Sequence, residues 1–132
     1  MSESDVQKAI LDYLQYSGHY AQRINSGAAF GTYKNKGGAE KVWKIKGADA
    51  GTPDILACIN GKFVGLEVKA DEKVKKAWQK KVELFQKTSF PSDYHRREIN
   101  QYKAIERIKK AGGEAYVVCS LDEVIQIVKN LT

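Results

Sequence analysis

Two β-like runs, Asp54 to Ile59 and Lys62 to Lys69, are joined by Asn60-Gly61. An Asn-Gly pair between such runs is a strong signal for a two-residue hairpin, because both turn positions need positive φ. Register then follows from the turn. Ile59 faces Lys62, Cys58 faces Phe63, Ala57 faces Val64, and Asp54 comes opposite Glu67. Directly opposed residues point to the same face, with Cβ atoms ~4.5–5.5 Å apart. Lys69 shares that face with Glu67, since side chains alternate with a period of two. A single bulge would shift the pairing.

The rest of the chain reads around this hairpin. Val6, Ile10 and Leu14, with Ala9 and Tyr13, mark an amphipathic helix that ends before Gly18. Ser2 and Ser4 can each cap it, and Ser4 with Gln7 fits a capping box. A short strand is expected at Ala21 to Asn25. Residues 26–51 are rich in Gly and Lys and read as a long loop, with only Val42 to Ile45 weakly strand-like. A second helix is expected over 71–87, with Val74, Trp78, Val82 and Phe85 as its apolar stripe. Ser89 to His95 reads as a loop. A third helix runs from about Arg96 to Ala111 and stops at Gly112-Gly113. Glu114 to Cys119 is strand-like, and Ser120 with Glu123 opens a last helix. Apolar residues on both faces of the hairpin call for helices on both sides of the sheet, hence an α/β fold.

The 132 residues fit one domain. No stretch reaches the ~20 apolar residues of a membrane span, and the acidic N-terminus does not look like a secretory signal. Cys58 and Cys119 sit in apolar runs, so buried thiols in a reducing, cytoplasmic compartment are expected. The net charge is +6. That suits a polyanionic partner such as nucleic acid, and equally a generically lysine-rich surface. His19 and His95 lack partners at zinc spacing and read as surface residues.

Paired carboxylates repel unless one protonates or a cation sits between them. Two carboxylates with nearby carbonyls and water form a partial oxygen shell for Mg²⁺. A neighbouring ammonium, Lys69, can orient a water or stabilise charge on a phosphate. The same residues also fit a bland reading, with Asp54 capping a turn and Glu67–Lys69 forming a solvated edge pair.

Gly51-Thr52-Pro53-Asp54 followed by Glu67-Val68-Lys69 resembles the PD-(D/E)XK nuclease superfamily. More narrowly, the chain looks like a stand-alone virus-type replication–repair nuclease (VRR-NUC) domain. Glu3 in the first helix, Arg23-Ile24-Asn25-Ser26-Gly27, and Gln101 before Gly112-Gly113 extend the resemblance over nearly the whole chain. It implies a restriction-endonuclease-like mixed sheet flanked by helices. It also implies DNA cleavage dependent on Mg²⁺, with Mn²⁺ also supporting activity, in a bacterial or virus-infected (phage) cytoplasm. By that likeness Asp54, Glu67 and the Val68 carbonyl hold the metal, Lys69 acts on the attacking water, Glu3 lies near the metal, within reach of it through a water, and Gln101 supports the site. The chain departs from many relatives between Lys69 and Gln101, where a Lys-rich helical insertion spans about 71–96.

DNA contacts are expected from Arg23, Asn25, Lys73, Lys76 and Lys80, although the helical lysines equally fit a solvated face. Lys34, Lys36, Lys41, Lys44 and Lys46 suggest a flap that orders on DNA. Trp78 and Phe85 read as core or as a self-association face. A single site cuts one strand per engagement, so paired cuts call for a C2 homodimer. Small stand-alone relatives of this kind resemble four-way-junction resolvases, so the resemblance implies a homodimer cutting branched DNA, best a Holliday junction. The rival is a non-catalytic DNA-binding module of a larger assembly.

Overall fold

The computed structural model describes residues 1–24, 28–88 and 95–132. The elements run α1 (Glu3–Tyr16), β1 (Tyr20–Arg23), β2 (Ala28–Lys34), β3 (Glu40–Lys46), β4 (Ile55–Ile59), β5 (Lys62–Val68), α2 (Glu72–Thr88), α3 (Arg96–Lys110), β6 (Glu114–Val118) and α4 (Leu121–Leu131). Four strands form a mixed sheet in the order β1-β4-β5-β6, with β5 and β6 parallel and the other pairs antiparallel. Among the described residues, no helix is long and apolar enough to cross a membrane.

The β4–β5 register is the one that the turn dictates, from Ile59↔Lys62 to Ile55↔Leu66. Asn60 (φ 51°) and Gly61 (φ 77°) both take positive φ, as a type I′ turn requires. The Asn60 amide also donates to the Leu131 carbonyl, tying the turn to the end of α4.

Alternation divides the sheet into two faces. Ile55, Ala57, Ile59, Val64, Leu66, Val68 and Val118 join Val6, Ile10 and Leu14 of α1 and Val124 and Val128 of α4 in the main core. The opposite face packs Ala115 and Val117 against Trp78 and Val82 of α2 and Ile105 of α3. Helices therefore cover both faces, and Glu67 and Lys69 lie on the α2–α3 side.

Several local expectations are corrected. The α1 capping box is Ser2 with Asp5, not Ser4 with Gln7: the Asp5 N–H donates to Ser2 and the Ser2 N–H to Asp5. Residues 28–46 form a β2–β3 hairpin in place of most of the expected loop. The Asn35 side chain closes its turn by accepting from the Gly37 and Ala39 N–H groups. Val74 is exposed, so the α2 stripe narrows to Trp78 and Val82. Glu123 receives the Cys119 N–H rather than completing a reciprocal box with Ser120. Cys58 is exposed and Cys119 half-buried, against the expectation of two buried thiols. His19 and His95 are both half-buried rather than on the surface. Asn25, Ser26, Gly27 and the 89–94 segment lie outside the described residues.

Candidate active site

The site forms where β4 begins and β5 ends. Asp54 precedes β4, and its backbone carbonyl accepts from the Ile24 N–H, which anchors it to the end of β1. Its Oδ2 accepts from the Val68 N–H at 2.8 Å. That bond fixes the carboxylate against β5 and leaves the second oxygen for other work. Gly51, at φ 89°, lets the preceding turn run directly against the Asn100 backbone of α3. Only glycine fits there, since a Cβ would strike that carbonyl.

Glu67 is 2% exposed, Lys69 6% and Gln101 5%. Three ionisable or amide groups are thus kept in the interior, which is costly unless each is paired. Lys69 Nζ donates to Gln101 Oε1 at 2.9 Å and lies 3.5 Å from Glu67 Oε1. Trp78 Nε1–H donates to the same Gln101 oxygen at 2.9 Å. Two donors on one oxygen fix the orientation of the Gln101 amide, and so the position of the Lys69 ammonium. The Lys69 backbone is held as well, its N–H donating to the Val118 carbonyl.

Burial raises the Glu67 carboxyl from its ordinary range to about 8, and the Asp54 carboxylate beside it pushes the same way. Lys69 opposes this without cancelling it. A carboxylate destabilised by burial and by a like charge is a standing demand for a cation. The donors present are hard oxygens: the Asp54 and Glu67 carboxylates, with the Val68 carbonyl between Glu67 and Lys69 in the chain. That set suits Mg²⁺ or Mn²⁺ rather than a soft metal.

The structure brings together Asp54, Glu67, Lys69 and Gln101. Glu3, in the first turn of α1, accepts from Gln7 Nε2 at 3.4 Å. Gln7 is itself buried, and its Oε1 has no partner among the described residues. Arg23 is exposed at the end of β1, and Lys73, Lys76 and Lys80 are exposed along one side of α2. The supporting role of Trp78 was hidden in the sequence, where its spacing marks it only as core.

A second polar cluster lies at the other side of the β5–β6 ends. Cys119 Sγ donates to Glu123 and faces Glu72, and Lys75 pairs with Glu123. Burial and these carboxylates push the Cys119 thiol up to about 12.

No family model and no curated protein matches the sequence. Among solved structures the chain is similar to a VRR_NUC domain, over 98% of this chain and 97% of that one, with a TM-score of 0.52 and 19% identity. The chain thus has the fold of a nuclease-type domain.

Proposed function

We propose that this chain is an endonuclease that hydrolyses phosphodiester bonds in DNA with a divalent metal, Mg²⁺ or Mn²⁺. The observation that carries the reading is the buried Glu67 carboxyl beside Asp54, with Lys69 held against both Glu67 and Gln101. A fold-only or binding-only protein gains nothing from maintaining so costly a group. Asp54, Glu67 and the Val68 carbonyl would hold the cation, which would offset the two carboxylate charges and supply Lewis-acid polarisation of a phosphoryl oxygen. Asp54 is fixed by the Val68 N–H and keeps one oxygen turned away from that bond. Lys69 has three donors; one is used on Gln101 and one faces Glu67, so the third is available to the attacking water or to a phosphate oxygen. Gln101 and Trp78 are positioning residues that act through Lys69.

The substrate class is inferred from the surroundings. The β2–β3 arm leaves the sheet between Ile24 and Asp54, beside the site, and carries exposed Lys34, Lys36 and Lys41. Arg23 and the α2 lysines add positive charge. One site per chain calls for a C2 homodimer if paired cuts are made, and the resemblance to small stand-alone junction-cutting nucleases makes branched DNA, best a Holliday junction, the proposed substrate. The competing reading is a non-catalytic DNA-binding module, which predicts salt-dependent binding without cleavage.

The test incubates labelled linear duplex, flap and four-way junction with Mg²⁺, Mn²⁺ or EDTA. Metal-dependent cutting that is strongest on the junction, by a protein sedimenting as a dimer, is expected. Binding without any cutting favours the rival. Equal cutting of linear and four-way DNA, or a monomer, removes the junction assignment while leaving the nuclease.

A further inference from the structure

The helices cover only half of the sheet face that bears Glu67. α2 and α3 lie over β5 and β6. The β1–β4 half of the same face carries Tyr20, Gln22 and Cys58, all exposed. Strand pairing sets Tyr20 opposite Cys58 and Cys58 opposite Phe63, so these three form one row across three strands. Tyr20 is 70% exposed and Phe63 48%. Strands lie ~4.8 Å apart, which roots the two rings about 10 Å from each other with a small thiol between.

A groove of ≈ 850 Å³ lies beside this row, between Phe63 at its end and α3. Pro53, Leu56 and Phe63 make one wall, and Lys103, Arg107 and Lys110 rise from the other. The spacing of those three cations keeps them on one side of the helix. None is paired with a carboxylate among the described residues, and Lys103 also lies 5.7 Å over the Phe85 ring. Among the described residues, Asp49 is the lone carboxylate lining the groove. Pro53 and Ile108 pack over Gly65, between Phe63 at the groove and Glu67 at the active site, and Pro53 and Asn100 are chain neighbours of Asp54 and Gln101. Phe63 and Glu67 are four strand residues apart, about 14 Å at ~3.4 Å per residue.

Exposed aromatic faces beside a row of cations form the combination that holds unpaired nucleic acid, with bases stacked on rings and phosphates on the basic rim. A duplex keeps its base faces covered and cannot use the rings. A second copy of this chain could bury them, but it would add more positive charge to the same wall. We propose that this sheet face and the α3 groove bind an unpaired DNA strand, stacked on Tyr20 and Phe63 and held by Lys103, Arg107 and Lys110. Delivery of that strand to Asp54 and Glu67 rests on the nuclease reading; the binding itself does not.

The test is fluorescence anisotropy in EDTA, with the full chain and an oligothymidylate of about 15 nucleotides. A duplex of equal length is the comparison. The oligothymidylate is expected to bind more tightly than the duplex. Tyr20→Ala and Phe63→Ala should each weaken it by about 5- to 100-fold, the range for losing one stacked base. Both side chains are exposed, so circular dichroism should report an unchanged fold. Bound oligothymidylate should also shield Cys58 from alkylation, whereas the duplex should not. Equal affinity for both DNAs, or Phe63→Ala binding like wild type with Cys58 still reactive, overturns the proposal. So does a Phe63→Ala variant that loses only self-association. A chain that fails to cut DNA leaves these binding results standing.

Discussion

Replacing Glu67 with Gln isolates what it costs to keep a carboxylate at the base of the site. In the metal-free protein the carboxyl titrates at about 8, against 4.5 for the free group. Between those values the folded chain holds a proton that the unfolded chain has released. Stability must therefore fall as pH rises through this window and level off above it. At pH 7.5 the displacement corresponds to roughly 4 kcal/mol, at ~1.36 kcal/mol per unit. Water entering a loosened site lowers that figure, so a gain of about 2–4 kcal/mol is expected for Glu67→Gln, whose amide mimics the neutral acid. The assay is urea unfolding in EDTA from about pH 5 to about pH 9. The two proteins should match near the acid end, and the variant should be the more stable at the alkaline end. Excess Mg²⁺ should then stabilise the wild type and leave the variant unmoved. A variant that is no more stable than wild type at high pH refutes the reasoning, because Glu67 would then be comfortably ionised without a cation.

Gln101→Leu keeps the volume but strands the Lys69 and Trp78 donors, and should cost about 2–4 kcal/mol in urea unfolding, with a larger loss in cleavage than the unfolded fraction explains. Lys69→Ala should lower single-turnover cleavage by at least about 100-fold, while the Mg²⁺-induced rise in Tm persists. Gly51→Ala should destabilise more than Gly61→Ala: both have positive φ, but only at Gly51 would a Cβ meet backbone, that of Asn100. Urea midpoints for the pair check this, with about 1 kcal/mol expected at Gly61.

The hairpin was legible because its determinants are local. Asn60-Gly61 fixes the turn, the turn fixes the register, and the register brings Asp54 to Glu67. Gln101 could be placed only by resemblance, since its meeting with Lys69 depends on how α3 crosses the sheet. Trp78 was hidden for the same reason: periodicity marks a side chain as buried but does not say which oxygen its N–H will find. The β2–β3 hairpin was obscured by its glycines and lysines. Asn35 ahead of Gly37-Gly38, between Tyr33 and Val42, was the available signal, because an Asx side chain can close such a turn. Cys58 was misread because full helical cover was assumed for both faces, whereas the β1–β4 half of one face is open.

The central claim is that Asp54 and Glu67 hold a divalent cation with Lys69 beside it. Anomalous diffraction from crystals soaked in Mn²⁺ tests it most directly. The account predicts a peak bounded by Asp54 and Glu67 carboxylate oxygens and the Val68 carbonyl, lost in Glu67→Gln. A peak confined to the Glu72, Cys119 and Glu123 cluster, or unchanged in that variant, contradicts it.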